Sequence, residues 1–316
     1  MPFRFPRSTI VFAASFTAVI LLAGCAPAAS SPSSSSSSSP SSPAVSTSTP
    51  TVAPPAETAD SDFAALETEF DARLGVFALE VDTGRSLAYR ADDRFGFAST
   101  IKALAAAVVL QQGSDAELDE SVPITAADIA GYSPVTEGRI GTGMTVRELV
   151  AAAVQYSDST ALNLLIGNLG GIDALQQALA GINDEVTSID RLEPELNAVA
   201  PGDPRDTSTP RQLALDLQSL GFGDALPDDR EAEFVELLKG NTTGDALLRA
   251  GVPEGWVVGD KTGAADYGTR NDIGILWPPS GSPIVIAVMS DRSTPDADYN
   301  DALIAEATRV VVAMLG

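Results

Sequence analysis

Strand-like segments occur in two groups that lie far apart in this chain of 316 residues, and their separation constrains the fold more than any other feature. The first group, 76–82 (VFALEVD) and 86–90 (SLAYR), is joined by a turn with Gly84 at the bend. The second group comprises 256–263, 269–277 and 283–290. The first and last segments must share one sheet, which predicts an antiparallel sheet of five strands.

Helical patterns fill the chain between the two groups of strands. Between 99 and 239 they cover 100–112, 145–156, 158–168, 171–180, 210–219 and 229–239, and others cover 62–73, 244–250 and 297–314. We therefore predict an α+β fold, in which helices flank the sheet and an all-helical lobe is inserted. The α/β lobe would span about 61–93 and 240–316, and the helical lobe about 94–239. A cleft between lobes is a favoured place for a binding site.

The composition limits the chemistry that this chain can perform. Its 43 acidic and 19 basic residues give a net charge of -24, which repels nucleic acid, so we predict no nucleic-acid partner. The chain has no histidine, which excludes a Ser-His-Asp triad and argues against a zinc hydrolase. Acid–base chemistry must therefore use carboxylates, lysine, tyrosine or serine.

The N-terminal part has the pattern of an export signal followed by a tether. Arg4 and Arg7 precede an apolar run that is short for a membrane span, so residues 1–24 are predicted to be a signal peptide. The run ends in LAGC, which resembles a bacterial lipobox and implies a lipid on Cys25; the alternative is an ordinary signal peptide with an incidental cysteine. The Ser/Pro/Thr-rich residues 25–60 predict a disordered linker. The globular part would then work outside the cytoplasmic membrane, anchored to its outer face.

Ser99 and Lys102 lie three residues apart where the apolar run ALAAAVVL begins. At a helix start, positions i and i+3 share a face, so the Lys102 amine is predicted to face the Ser99 hydroxyl. Burial and nearby positive charge lower the pKa of a lysine, which can then act as a base toward a nucleophilic serine. The alternative is a capping serine beside a lysine whose amine reaches solvent.

Three further segments carry groups that fit the same chemistry, although each also has a purely structural interpretation. Residues 157–159 (SDS) stand between two helical runs and also fit a helix cap. Residues 191–197 (RLEPELN) lie in a stretch rich in proline and aspartate, which also fits a surface loop. Residues 261–263 (KTG) also fit a strand that enters a turn.

In this order, the four segments resemble the motifs of class A serine β-lactamases, S-x-x-K, S-D-N, E-x-x-L-N and K-[ST]-G. The resemblance covers about 62–316. Lesser matches are Tyr132 at the cleft rim, the ion pair of Arg191 with Asp206, the turn 241–244 (NTTG), and Arg270. The resemblance implies a hydrolase of β-lactam substrates that requires no metal or cofactor. Nothing in the sequence demands an oligomer, so we predict a monomer.

By this resemblance, the motif residues share a two-step hydrolysis. Ser99 attacks the lactam carbonyl to form an acyl-enzyme, and the N–H groups of Ser99 and Ala264 bind the oxyanion. Water held by Glu193 and Asn197 then cleaves the ester, and either Lys102 or Glu193 first takes the Ser99 proton. Ser157 relays a proton to the leaving nitrogen, Lys261 supplies positive charge, and Gly263 lies in the substrate-binding strand. The remaining implied roles are carboxylate binding by Thr262 and Arg270, and structural support by Asp158, Arg191 and Asp206.

Ser159 departs from the resemblance, because the family usually has asparagine at this position. The asparagine amide would bond to the acylamino oxygen of the substrate and to the catalytic lysine, whereas serine is shorter and offers one hydroxyl. We therefore expect weaker positioning of the substrate side chain, with a water filling the gap.

Two other functions fit parts of the pattern. A penicillin-binding D,D-peptidase shares the Ser/Lys, S-x-N and K-[ST]-G sites but lacks the loop that carries Glu193, and that loop is present here. A surface lipoprotein that only binds its ligand would be expected to have lost Ser99, Lys102 or Glu193, and none is lost. A weakly active member of the family is the remaining alternative, because Ser159 replaces the usual asparagine.

Overall fold

The computed structural model describes residues 59–316, so the signal peptide, Cys25 and all but the end of the linker lie outside the described residues. The strands are β1 (Arg73–Glu80), β2 (Ser86–Tyr89), β3 (Phe95–Gly96), β4 (Ser121–Val122), β5 (Met144–Thr145), β6 (Thr207–Ser208), β7 (Val257–Ala265), β8 (Thr269–Trp277) and β9 (Ile284–Asp291). The helices are α1 (Asp60–Phe70), α2 (Ile101–Gln112), α3 (Asp115–Leu118), α4 (Val146–Gln155), α5 (Ser159–Leu169), α6 (Ile172–Gly181), α7 (Pro210–Phe222), α8 (Asp228–Lys239), α9 (Leu248–Gly251) and α10 (Asp301–Leu315).

Five strands form one antiparallel sheet in the order β2-β1-β9-β8-β7. β1 pairs with β9 along its whole length, from Arg73 opposite Asp291 to Glu80 opposite Ile284. The two ends of the described chain therefore meet at the centre of the sheet. The predicted five-stranded antiparallel sheet with flanking helices is confirmed.

Hydrophobic cores cover both faces of the sheet. Along β9, Val285 and Ala287 belong to a large core shared with α2, α4, α5 and α7, whereas Ile284 and Ile286 belong to a second core shared with α1 and α10. Successive side chains of a strand point to opposite faces, so every position of β9 is buried. This burial fixes the strand register, because a slip of one residue would exchange the two sets of side chains.

The first helix is shorter at its C-terminus than the predicted 62–73. Asp71 has a left-handed backbone, with φ 47°, which ends α1 and turns the chain into β1. At its other end α1 begins at Asp60, two residues before the predicted start, and Ala59 stands at the N-cap without a side-chain hydrogen bond. Similarly, the helix predicted at 244–250 is reduced to α9.

Two other helix starts show how side chains set the boundaries. Thr209 accepts the N–H of Gln212 and caps α7 directly before Pro210, which stands in the first helical turn. α10 begins at Asp301 rather than at 297, because Asn300 accepts the N–H of Ala302 there. Within residues 59–316, no helix combines the length and the apolar character needed to span a bilayer.

Candidate active site

The predicted nucleophile lies in a single 3-10 turn, Ala98–Thr100, that runs directly into α2. Ala98 has φ 50°, an uncommon conformation for a residue with a side chain, so backbone strain is stored beside Ser99. β7 lies against this turn so closely that a Cβ on Gly263 would stand 3.0 Å from the carbonyl oxygen of Phe97. Glycine therefore allows the KTG strand to approach Ser99.

Lys102 is fully buried one turn after Ser99. Its Nζ donates to Ser99 Oγ at 2.8 Å and to the Ser157 carbonyl at 2.9 Å, and lies 2.7 Å from Glu193 Oε1. It also donates to Ser159 Oγ at 3.3 Å. Burial lowers the pKa of Lys102, while Glu193 acts in the opposite direction. The amine thus connects the serine hydroxyl directly to the carboxylate.

Glu193 is held on a closed loop, residues 190–206, which we call the Glu193 loop. An ion pair between Arg191 and Asp206 closes the loop, and Asp206 Oδ1 also accepts two backbone N–H groups near its start. Asn163 on α5 accepts the Glu193 N–H at 3.0 Å and donates to its carbonyl oxygen at 2.9 Å. The loop is therefore fixed both at its base and at Glu193.

The Glu193 carboxylate and the Asn197 amide each carry a buried acceptor oxygen. Glu193 Oε2 accepts a hydrogen bond from Asn197 Nδ2 at 2.6 Å. Glu193 Oε1 forms the ion pair with Lys102 but has no other hydrogen-bond donor among the described residues. Asn197 Oδ1 is also buried and has no donor among these residues. Buried acceptors of this kind favour a bound water that donates to both.

Ser157 contacts both buried lysines. Lys261 Nζ donates to Ser157 Oγ at 3.1 Å and to the Thr262 carbonyl at 2.8 Å, while Lys102 binds the Ser157 carbonyl. Complete burial, together with the charge of Lys102, lowers the pKa of Lys261 to about 7. Ser157 itself has φ 58°, so a second strained residue lies beside the nucleophile. Its hydroxyl is placed to exchange a proton with Lys261.

Asp158 supports the serines on either side of it. Its buried carboxylate accepts the Ala161 N–H as the cap of α5, and also accepts the N–H groups of Val135 and Thr136. It therefore ties the segment 157–159 to the loop that carries Tyr132.

A cavity of about 360 Å³ opens above these groups. Ten of the twelve residues predicted to be catalytic or to bind substrate line it, namely Ser99, Tyr132, Ser157, Ser159, Glu193, Asn197, Thr262, Gly263, Ala264 and Arg270. The other two, Lys102 and Lys261, are buried and bond to hydroxyls that face the cavity. The structure therefore brings all twelve residues together around one cavity.

Several residues around the site escape the sequence analysis. Tyr299 lines the cavity, is 50% exposed and lies with its ring centroid 4.8 Å from Arg270 Cζ, while Asp301 accepts from Arg270 Nε at 2.6 Å. Thr243 belongs to the turn 241–244 named in the sequence analysis, but its contact with the site is not predicted there: its hydroxyl oxygen lies 2.6 Å from that of Thr262. Asn163 offers the one usable signal, because it is an amide within the apolar run ALNLLIG.

The geometry around Ser99 by itself defines a class of enzyme. A serine hydroxyl bonded to a buried lysine, with a carboxylate on the far side of that lysine, is the arrangement of a serine hydrolase that works without histidine.

Comparison with known proteins identifies the family within this class. Residues 58–315 match the β-lactamase enzyme family. The chain is 53% identical over 254 residues to a β-lactamase of Bacillus licheniformis, covering 80% of this chain and 83% of that protein. It is 52% identical over 267 residues to a β-lactamase of Amycolatopsis lactamdurans, covering 84% and 88%.

Solved structures agree with the sequence comparison. The crystal structure of a halotolerant bacterial β-lactamase matches with a TM-score of 0.78 at 50% identity, covering 80% of this chain and 97% of that one. That of a class A β-lactamase from Clostridium kluyveri DSM 555 has a TM-score of 0.79 at 45% identity, with the same coverage. The chain belongs to the β-lactamase enzyme family, and the predicted family, fold and serine hydrolase class are confirmed.

Proposed function

We propose that this enzyme hydrolyses β-lactam antibiotics through an acyl-enzyme on Ser99, which is cleaved by a water that Glu193 activates. The observation that carries the proposal is the position of Lys102 Nζ, 2.8 Å from Ser99 Oγ and 2.7 Å from Glu193 Oε1. Both groups contact one amine, so a single water can reach from the carboxylate to an ester formed on the serine. A D,D-peptidase would not need a carboxylate at this point.

Acylation uses the groups around Ser99. Its Oγ bonds to the lactam carbonyl carbon, the ring C–N bond breaks, and the serine proton passes to Lys102 or, through water, to Glu193. Ser157 donates a proton to the departing nitrogen, and its hydroxyl is in turn hydrogen-bonded to Lys261. The N–H groups of Ser99 and Ala264 stabilise the oxyanion, for which one donor typically contributes about 10²–10³ in kcat.

Deacylation uses the buried acceptors on the Glu193 loop. A water bound to Glu193 Oε1 and Asn197 Oδ1 gives a proton to Glu193 as its oxygen attacks the ester carbonyl. The ester C–O bond then breaks, the proton returns to Ser99, and the ring-opened acid is released. The fixed position of the loop keeps this water beside the ester.

Turnover followed by mass spectrometry tests this function. The purified enzyme is mixed with a chromogenic cephalosporin and with a penicillin, and a quenched sample is digested to locate any adduct. We expect turnover of at least one of the two substrates, with the adduct on the peptide that contains Ser99. Fast turnover by Ser99→Ala would contradict the mechanism.

The Lys261 pKa predicts a loss of substrate affinity at alkaline pH. Lys261 is charged below about pH 7 and loses its proton above it, so its attraction for the substrate carboxylate weakens as the pH rises. We expect kcat/KM for an anionic penicillin to fall by up to about tenfold per pH unit above this value. Lys261→Arg should lack this fall, because a guanidinium stays protonated. Parallel profiles for the two proteins would argue against the assignment.

Ser159→Asn is expected to raise kcat/KM about tenfold for substrates with a bulky acylamino group, the effect of one added hydrogen bond. Ser159 Oγ lies 3.3 Å from Lys102 Nζ, so an asparagine at this position would also be next to the lysine amine. Gly131 lies beside Ser159 and has no side chain, so the cavity stays open at this point. A penicillin nucleus that lacks the acylamino group is the control substrate and should change little. Equal or lower values across several penicillins and cephalosporins would speak against this role.

We further propose that the enzyme is a monomeric lipoprotein, held by a lipid on Cys25 at the outer face of the cell membrane. The support is the lipobox-like LAGC and the Ser/Pro-rich linker that follows it. Detergent phase partition of the exported full chain checks the anchor: activity should enter the detergent phase and leave it in Cys25→Ser.

A further inference from the structure

Two buried carboxyl groups, Asp184 and Asp216, lie within hydrogen-bonding range of each other. Asp184 follows α6 and Asp216 lies within α7, and their exposed fractions are 0% and 1%. Neither residue lines the cavity above Ser99. The proposed hydrolysis therefore makes no use of them.

In each carboxyl group, one oxygen accepts a hydrogen bond from an N–H group and the other oxygen does not. Asp184 Oδ1 accepts the N–H groups of Val186 and Thr187, both at 2.9 Å, and Asp216 Oδ1 accepts from Gln212 Nε2 at 2.8 Å. Both Oδ2 atoms are buried and have no N–H or hydroxyl donor among the described residues. The two side chains are in hydrogen-bonding contact, which two ionised carboxylates cannot make, whereas a single proton between them satisfies both oxygens.

The charges around the pair do not neutralise it. Burial raises the pKa of Asp216 well above its ordinary value, and Asp184 raises it further. On α7, Arg211 is engaged by Asp92, and from the β3 side Arg94 donates to the Val186 carbonyl rather than to either carboxyl group. On α6, the neutral Gln176 donates to the Thr187 carbonyl rather than to either carboxyl group. Glu185, the acidic residue next to Asp184, is exposed.

The segment that Asp184 holds is the neck of the Glu193 loop, by which we mean residues 184–189 and 207–208. Thr187 Oγ1 hydrogen-bonds to Ser208 Oγ at 2.7 Å, and the Ser188 N–H donates to the Thr207 carbonyl at 2.9 Å. From Ser208 the chain continues into α7, where Asp216 lies. The carboxyl pair therefore links α7 back to the opposite side of the neck.

We propose that Asp184 and Asp216 share one proton, and that this acid–carboxylate pair positions Glu193 by holding the neck of its loop against α7. The positioning role rests on the proposed function of Glu193 in deacylation. Loss of the proton to solvent leaves two buried carboxylates in contact, and their separation would pull Asp184 from the N–H groups of Val186 and Thr187. Deacylation should then slow, whereas Ser99 and Lys102, on α2 and the turn before it, should still acylate.

Asp216→Asn separates proton sharing from simple packing, because its amide can still donate to Asp184 but cannot titrate. Glu185→Gln, at the exposed neighbouring position, is the matched control for the loss of one negative charge. Intact-protein mass spectrometry during steady-state turnover gives the acylated fraction of each protein from pH 6 to pH 10, at a penicillin concentration that saturates the enzyme at every pH so that the weaker substrate binding expected from Lys261 does not contribute. In wild type and Glu185→Gln we expect this fraction to rise at least fivefold at alkaline pH as kcat falls; in Asp216→Asn it should stay constant.

Thermal unfolding gives a second readout that does not depend on turnover. Because the pKa of Asp216 is raised in the folded protein, the folded state binds more protons than the unfolded state, and stability falls as the pH rises above about 4. Asp216→Asn should have a shallower slope of Tm against pH than wild type and Glu185→Gln. Asp216→Ala lacks the donor and should accumulate acyl-enzyme at every pH.

The outcomes separate this proposal from the proposed function. If the acylated fraction of Asp216→Asn rises with pH as it does in wild type, or if its Tm slope is unchanged, the shared proton is refuted even though Ser99 is the nucleophile. If none of the proteins forms an adduct on Ser99, the mechanism itself fails, and the positioning role fails with it.

Discussion

Glu193→Gln is expected to stop the enzyme after acylation. Glutamine preserves the size of the side chain and its contact with Asn197, but it cannot take a proton from water. Loss of a general base typically costs 10²–10⁴ in rate, so we expect kcat to fall by about 10³. Mass spectrometry should then show a stable adduct with the mass of the intact drug, because ring opening loses no atoms.

The rate at which this adduct forms also distinguishes the two candidate bases for acylation. If Lys102 takes the Ser99 proton, one equivalent of acyl-enzyme should form in a burst as fast as that of wild type. If Glu193 takes it, the burst should slow together with kcat. Glu195→Gln is the matched control, since Glu195 is exposed on the same loop and should leave both rates unchanged. An unchanged kcat in Glu193→Gln would remove Glu193 from the mechanism.

The parts of the site that could be predicted are those that depend on local geometry or on a known motif. Ser99 and Lys102 follow from helical spacing, and the observed 2.8 Å contact between them needs only one turn of chain. The central sheet follows from the number and position of the strand-like segments. Glu193 could be assigned only through the resemblance, because its contact with Lys102 depends on how a distant loop closes.

The parts that could not be predicted depend on tertiary contacts that contradict local expectations. Asp216 lies in a helix whose sequence does not mark it as buried, and its partner Asp184 lies in the irregular segment that follows the turn after α6. Asp71 ends α1 through a left-handed conformation that most residues avoid, so the pattern runs past the true end of the helix. Tyr299 comes from a short acidic stretch, and only its position beside Arg270 connects it with the site.

The buried charges of the site are interdependent, which separates their effects on stability from their effects on catalysis. Lys102 and Glu193 form an ion pair with side chains that are each 1% exposed. Such a pair adds little net stability, because removing two charges from water offsets their attraction, but either charge is costly when its partner is removed. The proposed mechanism, in contrast, requires both groups.

Lys102→Met is therefore expected to have two effects that a second substitution can separate. Removal of the amine should lower the acylation rate by at least about 10³, and should also destabilise the protein by about 3–5 kcal/mol, because Glu193 is left buried without its cation. In Lys102→Met/Glu193→Gln no unpaired charge remains, so stability should return to within about 1 kcal/mol of wild type while activity stays lost. Urea unfolding and single-turnover acylation measure the two effects on the same proteins.

Lys239→Met is the control for this cycle, because Lys239 lies at the surface, with 32% of its side chain exposed, and pairs with the exposed Glu236. Its loss should change stability by no more than about 1 kcal/mol and leave acylation unaffected. If Lys102→Met alone were as stable as wild type, Glu193 would not carry an unpaired charge in that protein. If the double variant were no more stable than Lys102→Met, the loss would come from the missing contacts of the lysine rather than from the broken ion pair.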